Sequence, residues 1–154
     1  MLKKTAYTRT ISAKTLKPKL VVVDARDQVL GRLATKIVHV LLGKNRVDFS
    51  TNLVMGDVVV VTNASLVRVT GRKETQKMYG NYSGYPGGLR QENYASLHAR
   101  RPQEIIRHAV SGMLPDNKLR DVFLSRLLVF PADTYTVPPK MLEITKEINA
   151  TPKK

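Results

Sequence analysis

The chain has no cysteine and no tryptophan, and its acidic residues are few, 12 against 26 lysines and arginines. Without cysteine there is no disulfide framework and no thiolate metal site, which fits a reducing compartment. No apolar run approaches the ~18 residues of a membrane-spanning helix, and no apolar region typical of a signal peptide is present. These absences argue against a disulfide-rich secreted domain and against a membrane protein.

Excess positive charge is the dominant property of the composition. The 154 residues carry a formal net charge of +14, with a pI near 10.2. Self-repulsion on this scale opposes a compact fold unless a polyanion neutralises it. Nucleic acid is the commonest such partner, and an anionic membrane surface is the second. Because 42% of the residues are hydrophobic, one globular domain with its own core is expected.

The charge is uneven along the chain. Residues 1–19 contain six lysines or arginines and no acid, which predicts a basic N-terminal arm. An organellar transit peptide has the same composition and stays an alternative. We expect an α/β core at residues 20–131, with a basic loop at 71–90, and a peripheral basic tail at 132–154.

Two Val-rich runs, Lys19–Asp24 and Val58–Thr62, are typical of buried parallel strands. A helix is predicted between them because apolar residues recur at helical spacing from Leu30 to Leu42. Strand, helix and strand in this order indicate a right-handed βαβ unit and a mainly parallel sheet.

The ends of these elements also carry signals. Asp27 is the expected N-cap of the helix, and Gly43 is the expected residue after its last turn. Asn63 is expected to cap a short turn, and residues 68–70 are expected to add a short strand.

Weaker patterns follow in the second half of the chain. Asn93–Ala99 predicts a short helix, and Pro102 is suited to begin a longer helix that Gly112 is expected to end. Residues 119–126 predict one or two further helical turns, and residues 127–130 predict the last strand.

The most informative segment is Gly71–Arg90, which reads GRKETQKMYGNYSGYPGGLR. It holds three of the six tyrosines and five of the nine glycines, and it carries a net positive charge. Cationic side chains neutralise phosphate groups, aromatic rings stack on bases, and glycines allow the protein backbone to approach the RNA closely. The segment therefore predicts an RNA-contacting loop, with an ordinary surface loop as the alternative.

Sequence patterns for catalysis are weak. The turn at Asp24–Gly31 joins a strand to a helix but lacks GxGxxG, and no GxxxxGK[ST] or GxSxG motif occurs. Asp24 and Asp27 are explained by strand-end and cap roles more simply than by acid–base work. We therefore expect neither an enzyme nor a cofactor nor a small-molecule substrate, and a nucleotide-dependent enzyme using this turn is the alternative.

The three histidines, His39, His98 and His108, have no spacing that suits a metal, and no cysteine could assist them. We expect them to be surface or RNA-facing groups, and we expect no metal site.

Basic pairs near the ends of predicted elements are the positive signal: Lys44/Arg46, Arg72/Lys73, Arg100/Arg101 and Lys118/Arg120. Solvated charge on a helix face would be spread at four-residue spacing with acidic partners. These clusters favour binding to phosphate groups, and a merely solubilising role is the alternative.

Several segments together resemble the ribosomal large-subunit protein 13 family, of the bacterial or organellar type. They cover most of the chain from Val21 to Phe130, in the family's order: VVVDARDQVLGRLATKIVHVLLGK, GDVVVVTNASLVRVTGRK, SGYPGGLR and ARRPQEIIRHAVSGMLP. The resemblance implies a three-layer α/β/α fold with a mainly parallel four-stranded sheet. It also implies a non-catalytic protein that binds large-subunit rRNA early in assembly, beside neighbouring ribosomal proteins, on a cytoplasmic or organellar ribosome. A regulatory RNA binder that acts off the ribosome is a further alternative.

The resemblance and the basic pattern together give a set of RNA-binding candidates. They are Lys44, Arg46, Arg72, Lys73, Lys77, Tyr79, Gly84, Tyr85, Gly87, Gly88, Arg90, Arg100, Arg101, Arg107, Lys118 and Arg120, with the turn Met113–Pro115. In the Tyr/Gly segment the glycines are expected to admit phosphate, Lys77 and Arg90 to supply charge, and Tyr79 to be the best stacking ring. Tyr82 is the weakest candidate ring, because the family often has histidine there.

The chain departs from the family's pattern at two further places. Residues 50–54 read STNLV where the family often has Thr-Pro-His-Val-Asp, and PADTYTVPPK at residues 131–140 replaces a His-rich stretch. The contacts of these two segments are therefore not carried over from the resemblance.

Overall fold

The structure is a computed structural model that describes residue 16 and residues 18–139. Most of the expected basic arm and the end of the expected tail lie outside the described residues. The elements, in chain order, are β1 (Leu20–Asp24), α1 (Leu30–Leu42), β2 (Val58–Thr62), α2 (Lys73–Gln76), β3 (Met78–Tyr82), β4 (Leu89–Asn93), α3 (Tyr94–Arg100), α4 (Pro102–Met113), α5 (Arg120–Ser125) and β5 (Leu127–Val129).

A parallel sheet with the strand order β1-β2-β5 forms the centre of the fold. β1 pairs with β2 in the register Leu20↔Val58 to Asp24↔Thr62, and β5 pairs with the other edge of β2. All five residues of β2 are buried, as expected for a continuous apolar strand between two neighbours. The two predicted Val-rich strands are confirmed.

The main core lies between this sheet and the helices. Val59 and Val61, which alternate onto one face of β2, join a single cluster with buried residues of α1, α3, α4 and α5. Leu33 and Ile37 of α1 and Ile106 of α4 are completely buried there. Burying each such side chain contributes ~1.5–3 kcal/mol, so the apolar stripe of α1 is held by packing along its whole length. Val58 and Val60 on the opposite face are buried as well.

The two ends of α1 differ in how well the sequence predicted them. Gly43 has φ +76°, and the amides of Gly43 and Lys44 donate to Val40 and His39 in a Schellman turn, as expected. Asp27 is not the N-cap, because the helix begins only after Val29, and no side chain caps it.

Backbone pairing explains the later start of α1. Asp27 has φ +56°, and its amide donates to the carbonyl of Leu66. The amide of Leu30 donates to the carbonyl of Arg68 at 2.8 Å, so the neighbouring segment satisfies the helix end.

The predicted four-stranded parallel sheet is wrong in its number of strands, because the segment beside the start of α1 does not form a fourth strand. Residues 68–70 do not form a strand in the described structure, and Arg68 makes only an isolated parallel bridge with Val29. Gly71, with φ +67°, then turns the chain away before a longer ladder can form. The fold is therefore α/β with a three-stranded parallel sheet and a small antiparallel one.

The segment expected to be a long loop at residues 71–90 is mostly regular structure. Residues 73–76 form α2, and β3 and β4 pair antiparallel from Met78↔Asn93 to Tyr82↔Leu89. Only residues 83–88 connect the strands, and Gly84 (φ +89°) and Gly87 (φ +72°) supply the left-handed positions of that connection. Sequence reasoning missed the hairpin because neither strand has a buried apolar face.

The ends of the C-terminal helices also differ slightly from expectation. Pro102 begins α4 as predicted, but Gly112 lies inside the helix, which ends at Met113. Asn63 precedes a single 3-10 turn at residues 64–66 without capping it, because its side-chain nitrogen Nδ2 instead donates to Asp24 Oδ1 at 2.9 Å.

Candidate nucleic-acid interface

A polar groove of about 640 Å³ lies between the hairpin and the helices α3 and α4. Side chains alternate along a strand, so Tyr79 and Asn81 of β3 share one hairpin face with Arg90 and Glu92 of β4. The residues of this hairpin groove that carry charge, hydrogen-bonding groups or rings include Tyr79, Asn81, Arg90, Arg100, Arg101 and His108.

Three arginines bring positive charge into the hairpin groove. Arg90 and Arg101 are exposed, and within the described part of the chain neither makes an ion pair. Arg100 Nη2 lies 2.5 Å from Glu92 Oε2, although its side chain is still 60% exposed. Such exposed pairs stabilise proteins by only ~0–1 kcal/mol, so Arg100 can exchange its carboxylate partner for a phosphate at little cost.

Tyr79 is packed against the body of the protein and is not the open stacking platform that the sequence suggested. Its ring lies 5.7 Å from that of His108, and Lys77 Nζ lies 5.1 Å from its centre. Burial, and secondarily the nearby Tyr94, raises the pKa of Tyr79. The exposed rings of the hairpin are instead Tyr82 (62%) and Tyr85 (76%), so these two are more open to a stacking partner than Tyr79.

A second groove of about 620 Å³ lies beside α1 and the turn that follows α4. This helix groove brings Lys44, at the end of α1, close to the predicted turn Met113–Pro115. Lys118 and Arg120 follow that turn. Lys118 is exposed, whereas Arg120 Nη2 is held 3.0 Å from Asp116 Oδ1.

A small groove of about 250 Å³ links the other two. Met113 lines both this small groove and the helix groove. Lys77 also lines the small groove, and its Nζ lies over the ring of Tyr79, which lines the hairpin groove. Exposed cations thus line all three grooves. We call this surface the cationic belt, and it consists of Lys44, Lys73, Lys77, Arg90, Arg100 and Arg101.

Two other arginine candidates have different surroundings. Arg72 is exposed immediately before α2 and extends the belt beside Lys73. Arg107 Nη1 lies 3.6 Å from Glu104 Oε1, one turn earlier on α4.

The three candidate glycines have a role inside the hairpin turn. A side chain at Gly88 would begin 2.1 Å from Ser83 Oγ and 2.9 Å from the carbonyl oxygen of Tyr85. Gly84 and Gly87 need their positive φ angles. The turn chemistry therefore accounts for all three glycines without a phosphate.

Arg46 lies in a network within the protein. Its Nη2 is 2.7 Å from Asp57 Oδ1, and the two side chains are only 21% and 14% exposed. Asp57 Oδ1 also accepts the backbone amide of Lys19. Arg126 lies nearby and donates to the carbonyls of Val54 and Gly56, and burial lowers its pKa.

This network corrects the reading of Arg46 as a surface cation. Arg126 belongs to the same network and was missed by sequence reasoning, because an isolated arginine beside a strand carries no signal of a contact some 70 residues away.

We predict that Arg46→Ala lowers the free energy of unfolding by about 1–3 kcal/mol, because it leaves a half-buried carboxylate with fewer partners. The salt dependence of RNA binding should stay unchanged. Lys44→Ala removes the same charge from an exposed position two residues earlier and should change stability by less than about 0.5 kcal/mol. Urea unfolding and RNA titrations of both variants check this, and equal stability of the two would contradict the structural role of Arg46.

The carboxylates considered for acid–base chemistry have structural partners. Asp24 Oδ1 accepts the amide of Arg26 at 3.0 Å and the side-chain amide of Asn63, and these hydrogen bonds lower the pKa of Asp24. Asp27 Oδ1 lies 3.7 Å from Arg68 Nη1 on the exposed surface. Both carboxylates thus serve the turn between β1 and α1.

The three histidines have different surroundings. His39 is exposed on α1, His98 stacks on Tyr94 with ring centres 5.5 Å apart, and His108 contacts Tyr79. Among the described residues, no three potential metal-ligating side chains cluster together. No helix of the described part is both long and apolar enough to span a bilayer.

Comparison with known proteins gives one consistent family. The family model of ribosomal protein L13 matches residues 18–136. Large ribosomal subunit protein uL13 of Thermus thermophilus is 47% identical over 122 residues, which are 79% of this chain and 87% of that protein. The uL13 proteins of Rippkaea orientalis (44%, 83% of this chain and 85% of that protein) and Microcystis aeruginosa (49%, 76% and 78%) are similarly related.

Proposed function

The chain belongs to the ribosomal protein L13 family, and from that premise we propose that its cationic belt is a binding surface for large-subunit rRNA. The protein is a structural constituent of the large ribosomal subunit and not an enzyme. Its contribution is to hold rRNA segments in place, which requires charge and shape and no reacting group.

The observation that carries the proposal is the arrangement of exposed cations along neighbouring grooves. Arg90 and Arg101 come from β4 and from the junction of α3 and α4, yet they line one groove. Ion pairs with acidic neighbours would be expected if these side chains served only solubility. Instead they stand free within the described residues, as groups do that neutralise phosphates on binding.

Lys44, Lys73, Lys77, Arg90, Arg100 and Arg101 are the proposed phosphate contacts. Arg72, Arg107, Lys118 and Arg120 are secondary candidates at the margins, since two of them already have carboxylate partners. Tyr82 and Tyr85 are the proposed stacking rings because they are open to solvent. Arg46 and the three turn glycines are proposed to support the fold beneath these contacts.

We also propose finer features that rest on the family. The division into an arm at residues 1–19, a core at 20–131 and a tail at 132–154 agrees with regular elements that run from Leu20 to Val129. A third layer over Val58 and Val60 would explain why both are fully buried. Contacts with neighbouring ribosomal proteins and binding early in assembly complete the proposal.

Sedimentation tests the proposed function directly. A tagged copy of the chain, expressed in a host that carries its ribosome, should migrate with large subunits and with whole ribosomes in a sucrose gradient. It should be released only at high salt, because phosphate contacts weaken as salt rises. Recovery of the protein mainly in the free pool would contradict the proposal and favour action off the ribosome. Binding to large subunits that is independent of salt would instead contradict the proposed phosphate contacts.

A further inference from the structure

The helix groove has features that the binding of an RNA backbone does not require. Its inner surface is apolar and includes Val38, Leu114 and Phe123, all of them buried. Its volume of about 620 Å³ falls within the ~300–1,000 Å³ typical of pockets for small organic ligands. A cation alone on a flat surface would neutralise phosphate equally well, so the depression itself calls for an occupant with an apolar part.

Phe49 supplies an aromatic ring at this groove. Its side chain lines the groove and is 41% exposed, and it does not belong to the core cluster. A phenylalanine exposed on a connecting segment is open to a stacking partner, and a nucleobase offers a flat π-face of matching chemistry.

Polar groups of the groove can bind the edge of a base. Asn117 Oδ1 accepts the backbone amide of Leu119 at 3.1 Å. The backbone amide of Asn117 donates to the carbonyl of Pro115, whereas its side-chain nitrogen Nδ2 donates to no group among the described residues. The hydroxyl of Thr51 likewise has no described partner. Side-chain amides and hydroxyls of this kind recognise unpaired bases through their hydrogen-bonding edges.

The positive charge at this groove favours the binding of an anionic group. Lys44 and His39 line it, and no aspartate or glutamate does. Lys44 makes no ion pair within the described part of the chain. An apolar floor, an open ring, unused amide and hydroxyl groups and an unpaired cation therefore meet in one place.

We propose that the helix groove receives one unpaired nucleotide of the bound RNA, with its base against Phe49 and its phosphate at Lys44. This inference rests on the proposed function, because an RNA strand must reach the groove. It adds that the strand is single at this point, since a paired base is covered on both faces and along its edge.

Binding of fluorescein-labelled single-stranded oligoadenylate, measured by anisotropy, tests the proposal. Phe49→Ala should weaken binding by roughly 5- to 100-fold, in line with the loss of one base–aromatic stack. Phe49→Tyr should restore it, and Val47→Ala, which removes a fully exposed side chain outside the groove, should have no effect. An RNA duplex should bind equally well to the parent chain and to Phe49→Ala.

Ultraviolet cross-linking of large subunits that contain the chain provides an independent measurement. Trypsin cleavage after Arg46 and Arg68 releases residues 47–68, and a nucleotide adduct at Phe49 in that peptide is expected. Absence of the adduct, with a chemical cross-link from the peptide to another protein, would overturn the inference in favour of a protein occupant. Equal oligoadenylate affinity of the parent and Phe49→Ala would also overturn it, while sedimentation with large subunits would leave the proposed function standing.

Discussion

Replacing Arg90, Arg100 and Arg101 together by alanine is expected to weaken binding to large-subunit rRNA about 100-fold at ~0.15 M salt. Each phosphate contact adds about 0.9 to the slope of log affinity against log salt, which amounts to roughly a factor of 5 per contact at that concentration. Because all three side chains are exposed, the folded state should lose no more than about 1 kcal/mol. Filter binding across a salt series measures both the affinity and the slope.

A variant that loses the same charge elsewhere distinguishes the effect of the hairpin groove on RNA binding from the effect of net charge. Arg26, Lys36 and Arg68 carry the same total charge and line none of the three grooves. Replacing these three by alanine should leave the salt slope within about one unit of the parent value, whereas the groove variant should lose between two and three units. Equal losses in the two triple variants would mean that RNA responds only to the overall charge of the chain.

The parts of the fold that the sequence predicted well are those whose signals are local and repeated. The stripe of α1 spans three turns, and β2 is one uninterrupted Val-rich run, so packing and propensity agree for both elements. Gly43 was predictable because a left-handed residue after a helix has a strong residue preference. In each case one stretch of chain carries the whole pattern.

The features that the sequence did not reveal depend on which segments become neighbours. Asp27 does not cap α1, because Leu66 and Arg68 approach this turn and supply its hydrogen bonds. The resemblance favoured Tyr79 over Tyr82 as a stacking ring, yet the register of the hairpin turns Tyr79 towards the body and leaves Tyr82 exposed. No periodicity within residues 71–90 distinguishes the two rings.

The candidate site likewise contains residues that the sequence predicted and residues that it did not. Charge identified nearly all of the belt, since exposed cations are visible in composition and in clustered pairs. Charge and the resemblance placed Arg46 on the same list, because a sequence does not show that Asp57 lies 2.7 Å away. Phe49 was not a candidate at all, since a single phenylalanine between polar residues is more commonly part of a core.

Gly56 is another position whose importance is not visible in the sequence, and Gly56→Ala is expected to destabilise the protein by about 3 kcal/mol or more. A Cβ atom at this position would lie 1.6 Å from the carbonyl oxygen and 2.3 Å from the carbonyl carbon of Leu41. Both atoms belong to the last turn of α1, which cannot move freely because Leu41 is fully buried. The chain must therefore shift either α1 or the segment that leads into β2.

Gly112→Ala is the matched control for this substitution. Apart from its chain neighbours and the backbone of α4 itself, nothing lies within 4 Å of the position that a Cβ at Gly112 would occupy, so alanine should stabilise the helix by up to about 1 kcal/mol. Urea unfolding followed by far-ultraviolet circular dichroism suits a chain without tryptophan. Because domains are stable by only ~5–15 kcal/mol, the two variants should unfold at clearly different urea concentrations. Coincident transitions would show that the backbones of Gly56 and Leu41 do not approach as closely in solution, and that this position does not require glycine.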